Sequence, residues 1–128
     1  MGRLPETLNE ALCMHYVNAL TAPVRVQEWK DAVRHMDQCA ASGRVWQRAF
    51  ERASGERGDE VVGEIYEQWR KKEPIAAALG YGRYLLTHGQ GRAAMEVVSR
   101  AHGALSGDGR ESAELAAKWQ RVLGEAQG

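Results

Sequence analysis

Apolar residues recur along the chain at steps of three and four, and short clusters of Gly, Pro and Ser break the recurrence into seven stretches. That spacing gathers apolar side chains on one face of a helix with 3.6 residues per turn. The first stretch runs from about Pro5 to Leu20, with Leu8, Ala11, Leu12, His15, Tyr16 and Ala19 read as its inward stripe. Pro5 suits a first turn, where its missing N–H costs nothing. After Thr21-Ala22-Pro23 a second helix presents Val26, Trp29, Val33, Met36 and Ala40, and Gly43 is expected to end it in the left-handed C′ conformation. The third, about Arg44 to Ser54, presents Val45, Trp46, Ala49, Phe50 and Ala53 and is closed by Gly55. Asp59 is a natural cap for a fourth helix with Val61, Val62, Ile65, Tyr66 and Trp69 as its face. A fifth spans Ile75 to His88 and stops at Gly89, and a sixth spans Arg92 to Leu105. Asp108 and Glu111 have capping-box spacing and open a seventh, whose face is Leu115, Ala116, Trp119, Val122 and Leu123. No stretch alternates with period two in β-branched residues. The expected fold class is all-α.

Helix pairs with tight turns invite a search for a fixed period. Gly55 and Gly89 are 34 residues apart, as are Phe50 and Tyr84. From Ile75 onward Gly82 holds a small position in a first helix, Gly89 a turn, and Ala94 and Ala101 small positions in a second helix. Small residues there let paired helices approach closely. This stretch resembles a tetratricopeptide repeat, including the turn Gly89-Gln90-Gly91-Arg92-Ala93-Ala94. Residues 41–74 depart from that pattern, with Trp69 in place of a small residue and a longer turn. Their Trp46, Phe50-Glu51, Ile65-Tyr66-Glu67 and Pro74 look more like the half-a-tetratricopeptide (HAT) family, which is associated with RNA-processing complexes. The resemblance implies one domain over residues 1–128: antiparallel helix pairs at about 7–40, 41–74 and 75–108, stacked as a superhelix, and a capping helix at about 110–126. A plain helical bundle is the alternative arrangement.

Composition narrows the function. Seventeen Lys and Arg balance seventeen Asp and Glu, which speaks against a general grip on nucleic acid or a polybasic attachment to membrane. The longest apolar run, Ile75 to Leu79, is far below the ~20 residues a bilayer crossing needs. The N-terminus has neither the apolar core of a signal peptide nor a myristoylation pattern, since Glu6 stands where Ser or Thr is required. Two cysteines among four histidines suggest free thiols and a reducing, cytoplasmic compartment. Nineteen alanines against two isoleucines agree with helix throughout.

Few residues suggest catalysis. Gly89-Gln90-Gly91-Arg92-Ala93-Ala94 also fits the dinucleotide fingerprint, with Asp108 further on, but that chemistry needs a strand feeding the glycines. A turn between helices explains the same residues. Cys13, His15, His35 and Cys39 carry zinc-binding atoms. Cys13 and His15 are two apart and point to nearly opposite sides of a helix, so buried free cysteine and partly buried histidine is the favoured reading. The nucleophile-elbow, zinc-protease and P-loop patterns are missing. Glu60 and Glu64 read as a solvated face. No cofactor and no metal is expected.

The leading expectation is a non-catalytic interaction module, an adaptor, chaperone-like subunit or scaffold that holds a peptide or partner helix. The resemblance implies a concave face built from first helices. On it would lie Leu79, Arg83, Leu86 and Thr87 of the third unit, with Val45, Ala49 and Arg52 of the second, and His15 and Asn18 of the first. Two arginines on an apolar surface suit a mildly acidic segment, because a guanidinium can clamp a carboxylate. Trp46 and Tyr81 are secondary candidates for ligand contact. The alternatives are a small helical enzyme, a nucleotide-binding domain at the Gly89–Gly91 turn, or an RNA-processing scaffold acting through protein contacts. Self-association is also open, because arrays leave apolar end faces.

Overall fold

The computed structural model describes residues 6–20, 25–38, 42–55, 59–105 and 109–127. Among them are seven α-helices and no strand: α1 Glu6–Ala19, α2 Val26–Gln38, α3 Gly43–Gly55, α4 Asp59–Lys72, α5 Pro74–Thr87, α6 Gly91–Ala104 and α7 Gly109–Gln127. The all-α expectation holds, and no described helix is long and apolar enough to cross a membrane. The chain divides into two compact units, Met1–Lys72 and Glu73–Gly128. The division falls beside Pro74, which opens α5 at a position where its missing N–H is harmless.

In the N-terminal unit α3 packs along α4, α1 lies against α3, and α2 lies against α4. The stripes read for α3 and α4 are the buried ones: Val45, Trp46, Ala49, Phe50 and Ala53 face Val61, Val62, Ile65, Tyr66 and Trp69. The Phe50 and Trp69 rings meet at a tilt, with centroids 5.2 Å apart. From α2 the core takes Trp29, Ala32 and Met36, while Val33 is half-buried.

Three expectations need correction in this unit. The inward face of α1 is Cys13 and Val17 with Glu10 and Met14 half-buried, whereas Ala11, Leu12, His15 and Ala19 are exposed. The cause is polar: Ser42 Oγ donates a hydrogen bond to Glu10 Oε1 at 2.6 Å, so a glutamate lies on the packed face and an apolar count passes over it. Gly43 does not end α2 but begins α3, and the Ser42 carbonyl accepts the Val45 and Trp46 N–H groups, both at 3.1 Å. Cys13 is not a free thiol. It is buried and disulfide-bonded, while the chain's other cysteine, Cys39, lies outside the described residues. Disulfides persist in oxidising surroundings, so the expected reducing compartment loses its support. Asp59 is the first residue of α4. The side chains of Leu8, Val26 and Asp59, the residue Ala40, and the Asp108 member of the capping box also lie outside the described residues.

In the C-terminal unit α6 doubles back along α5, and α7 packs against both. The reversal is a Schellman turn: the Gly89 N–H donates to the Leu86 carbonyl at 3.1 Å and the Gln90 N–H to the Leu85 carbonyl at 2.8 Å. Gly89 has φ +73°, a conformation that residues with a Cβ rarely adopt. The core joins Ala78, Leu85, Ala94, Val98, Leu115, Trp119 and Val122. Leu123 is half-buried against it, while Ala116, expected inward, is exposed.

Gly82 fixes how closely α7 approaches α5. A Cβ there would stand 2.7 Å from Trp119 Cζ3, 2.9 Å from Cη2 and 3.3 Å from Val98 Cγ2. The absent side chain is the notch that receives the indole. Gly82→Ala gains about 1 kcal/mol in helix propensity, but overpacking a filled core costs about 1–3 kcal/mol. The two together give a net loss of up to about 2 kcal/mol in chemical denaturation, and a stabilised variant would refute the notch. Trp119→Ala should lose about 3–5 kcal/mol, as for other large aromatics in cores. A loss under ~1 kcal/mol would show that α7 is not packed through this ring.

Candidate partner-binding site

The residues expected on a partner-binding face separate into two groups. In the N-terminal unit Val45 and Ala49 are fully buried. They belong to the core and offer no surface, a correction that follows from their place on the α3–α4 stripe. Arg52 is half-buried, and its Nη1 donates to the Val17 carbonyl at 2.7 Å. Arg48 Nε donates to Asn18 Oδ1 at 2.9 Å, and Arg48 Nη1 lies 3.7 Å from Glu51 Oε2. The end of α1 has carbonyls without partners inside the helix, and a guanidinium satisfies such a group while matching the negative end of the helix dipole. With Glu10 on Ser42 at the other end, α1 is fastened to α3 at both ends. Arg52 is therefore a structural cation here, and His15 remains exposed.

The C-terminal unit is different. Leu79 and Arg83 of α5 line an open groove with Gly80 and with Lys118, Arg121, Val122 and Glu125 of α7, enclosing about 330 Å³. Residues 118, 121, 122 and 125 follow the three-and-four spacing of one helical edge, and 79, 80 and 83 do the same on α5. Leu79 is half-buried and Val122 buried, giving an apolar floor. The rim is charged. Arg83 Nη2 and Glu125 Oε2 pair at 2.9 Å with both side chains more than half exposed, and Lys118 Nζ pairs with Glu114 Oε1 at 3.0 Å. Arg121 is exposed and has no ion-pair partner among the described residues.

Leu86 and Thr87 lie further along α5 and do not line this groove. Leu86 packs against the unit's core, and Thr87 Oγ1 donates to the Tyr84 carbonyl at 2.8 Å. Trp46 is buried, while Tyr81 is half-buried and stacks on Tyr84 with centroids 6.3 Å apart. Lys118, Arg121, Val122 and Glu125 lie outside the expected partner face because α7 is expected only as a capping helix, and Gly80 of α5 lies outside it too. The signal was present as a polar edge beside the Leu115–Trp119–Val122 stripe.

Other chemistry finds little footing. Gly89 and Gly91 flank the turn between α5 and α6, with helix on both sides. The Cys13 sulfur is occupied by its disulfide, and no group of three His, Cys, Asp or Glu is placed to hold a metal among the described residues. Arg70 has its pKa raised by its hydrogen bond to Glu67, reinforced by their opposite charges, at 2.8 Å. No family model, curated protein or solved structure matches the chain.

Because Arg52 holds α1, Arg52→Ala should destabilise the chain by about 1.5–3 kcal/mol, the scale of a hydrogen bond made by a charged donor. Unchanged stability in urea titration would return Arg52 to the free surface.

Proposed function

We propose that this chain is a non-catalytic protein–protein interaction module, an adaptor or scaffold subunit, that seats a peptide or partner helix between α5 and α7. The observation that supports this reading most strongly is the groove: an apolar floor at Leu79 and Val122 beneath an excess of cations at Arg83, Lys118 and Arg121. Side chains on two packed helices give such a surface a rigid frame, and its charged rim supplies specificity.

A tetratricopeptide-like or HAT-like stack belongs to the same proposal. Its support is the 34-residue spacing, the Gly89 turn and the small Gly82 at the helix–helix approach. A role as an RNA-processing scaffold rests only on the resemblance of residues 41–74.

Arg83→Ala with Arg121→Ala tests the reading. Both side chains are exposed, so helicity by circular dichroism should be retained. A charge-assisted contact is worth about 1.5–3 kcal/mol, so the pair should reduce partner association at least tenfold, with a smaller effect at high salt. Quantitative mass spectrometry of proteins retained by the two forms, followed by affinity measurement on each purified candidate, gives the readout. A partner whose affinity ignores both arginines moves the site elsewhere. Stoichiometric uptake of NAD or zinc in calorimetry would replace this reading with a cofactor-binding one.

A further inference from the structure

We propose that Glu125 is the groove's internal stand-in for a partner carboxylate, and that the partner is an acidic amphipathic helix which displaces it from Arg83. The inference rests on the groove reading above and adds the partner's chemistry and a built-in competitor. Three observations lead to it.

The first is charge. Three cations and one carboxylate line the groove, so the rim has a surplus of two positive charges in a chain whose overall balance is zero. Arg121 has no ion-pair partner among the described residues, and Lys118 is held only by Glu114 of its own helix. A ligand with several carboxylates complements this rim, and a neutral or basic one does not.

The second is shape. The floor is apolar at Leu79 and Val122, and Gly80 lines the groove without a side chain to fill it. At about 330 Å³ the groove has room for side chains, not for a whole helix. A helix lying across it would insert an apolar side chain while carboxylates one turn away reach the cations.

The third is the Arg83–Glu125 pair itself. It joins α5 to the last turns of α7 at 2.9 Å across open solvent. Exposed pairs of this kind contribute little to stability, so exchanging one carboxylate for another on the same guanidinium costs little. Glu125 therefore lowers affinity for an incoming acid while preventing weaker ligands from occupying Arg83.

The test uses the full chain and a fluorescent synthetic peptide helix with leucine along one face and glutamate on both flanks. A second peptide has every glutamate replaced by glutamine. Fluorescence anisotropy should show binding of the acidic peptide and at least tenfold weaker binding of the glutamine one. Glu125→Gln should tighten the acidic peptide about two- to fivefold, the range of an exposed ion pair, with helicity unchanged. In an Arg83→Gln background the same substitution should have no effect.

Equal tightening in both backgrounds would mean that Glu125 acts through overall charge, and the stand-in would be refuted. So would unchanged affinity in Glu125→Gln. Either result leaves the groove reading intact if Arg83 and Arg121 still govern binding. Equal affinity for both peptides, or none for the acidic one, overturns the acidic partner. Binding to vesicles containing phosphatidylserine, lost in Arg83→Gln when neither peptide binds, would overturn it in favour of a membrane surface.

Discussion

The insertion of the Trp119 indole into the space left by Gly82 governs the C-terminal unit. A tryptophan needs a large complementary gap, and a residue without a side chain opens one on the facing helix. Gly82 supplies that gap on α5, Val98 of α6 closes its far side, and the ring's position sets the rotation of α7 about its own axis. Once Trp119 points inward, 3.6-residue geometry turns Lys118, Arg121 and Glu125 toward the edge of α5. The groove and its charge are consequences of that one packing event. The indole Nε1 has no hydrogen-bond partner among the described residues, so shape and apolar contact hold the ring in place.

The two units use arginine in opposite ways. Arg52 and Arg83 occupy comparable places on α3 and α5, each beside an apolar stripe. Arg52 is satisfied by a backbone carbonyl that α1 brings within 2.7 Å, and its charge is spent on holding two helices together. Among the described residues, Arg83 pairs only with a solvent-exposed glutamate. What separates a structural arginine from one available to a ligand is its neighbour in space, and that neighbour is 35 residues distant in one case and 42 in the other.

That difference explains what could be read from the sequence. The buried faces of α3 and α4 were legible because each has a single apolar stripe with polar residues all around it. The turn at Gly89 was legible because its backbone conformation strongly favours glycine. The face of α1 was not. Its apolar residues lie on two sides, and the decisive side is marked by Glu10, whose partner Ser42 is remote in sequence. By spacing alone Val45 and Ala49 suit both the core stripe and a partner surface, and burial assigns them to the core. The α7 side of the groove was not legible, because α7 contributes through the polar edge of its stripe, which looks like any solvated flank until a second helix is laid beside it. The disulfide at Cys13 left no local signature either.

The tryptophans give the molecule one more property. All four are buried, and Trp29, Trp46 and Trp69 belong to the first unit whereas Trp119 stands alone in the second. Replacing the first three would leave a single tryptophan, excitable at wavelengths the four tyrosines do not absorb and wedged in the Gly82 notch between the groove-lining neighbours Lys118 and Val122. Its emission would report on one helix junction alone, without any attached dye. The residue that holds α7 in place is thus also the natural optical gauge of whether that helix stays put when the groove is occupied.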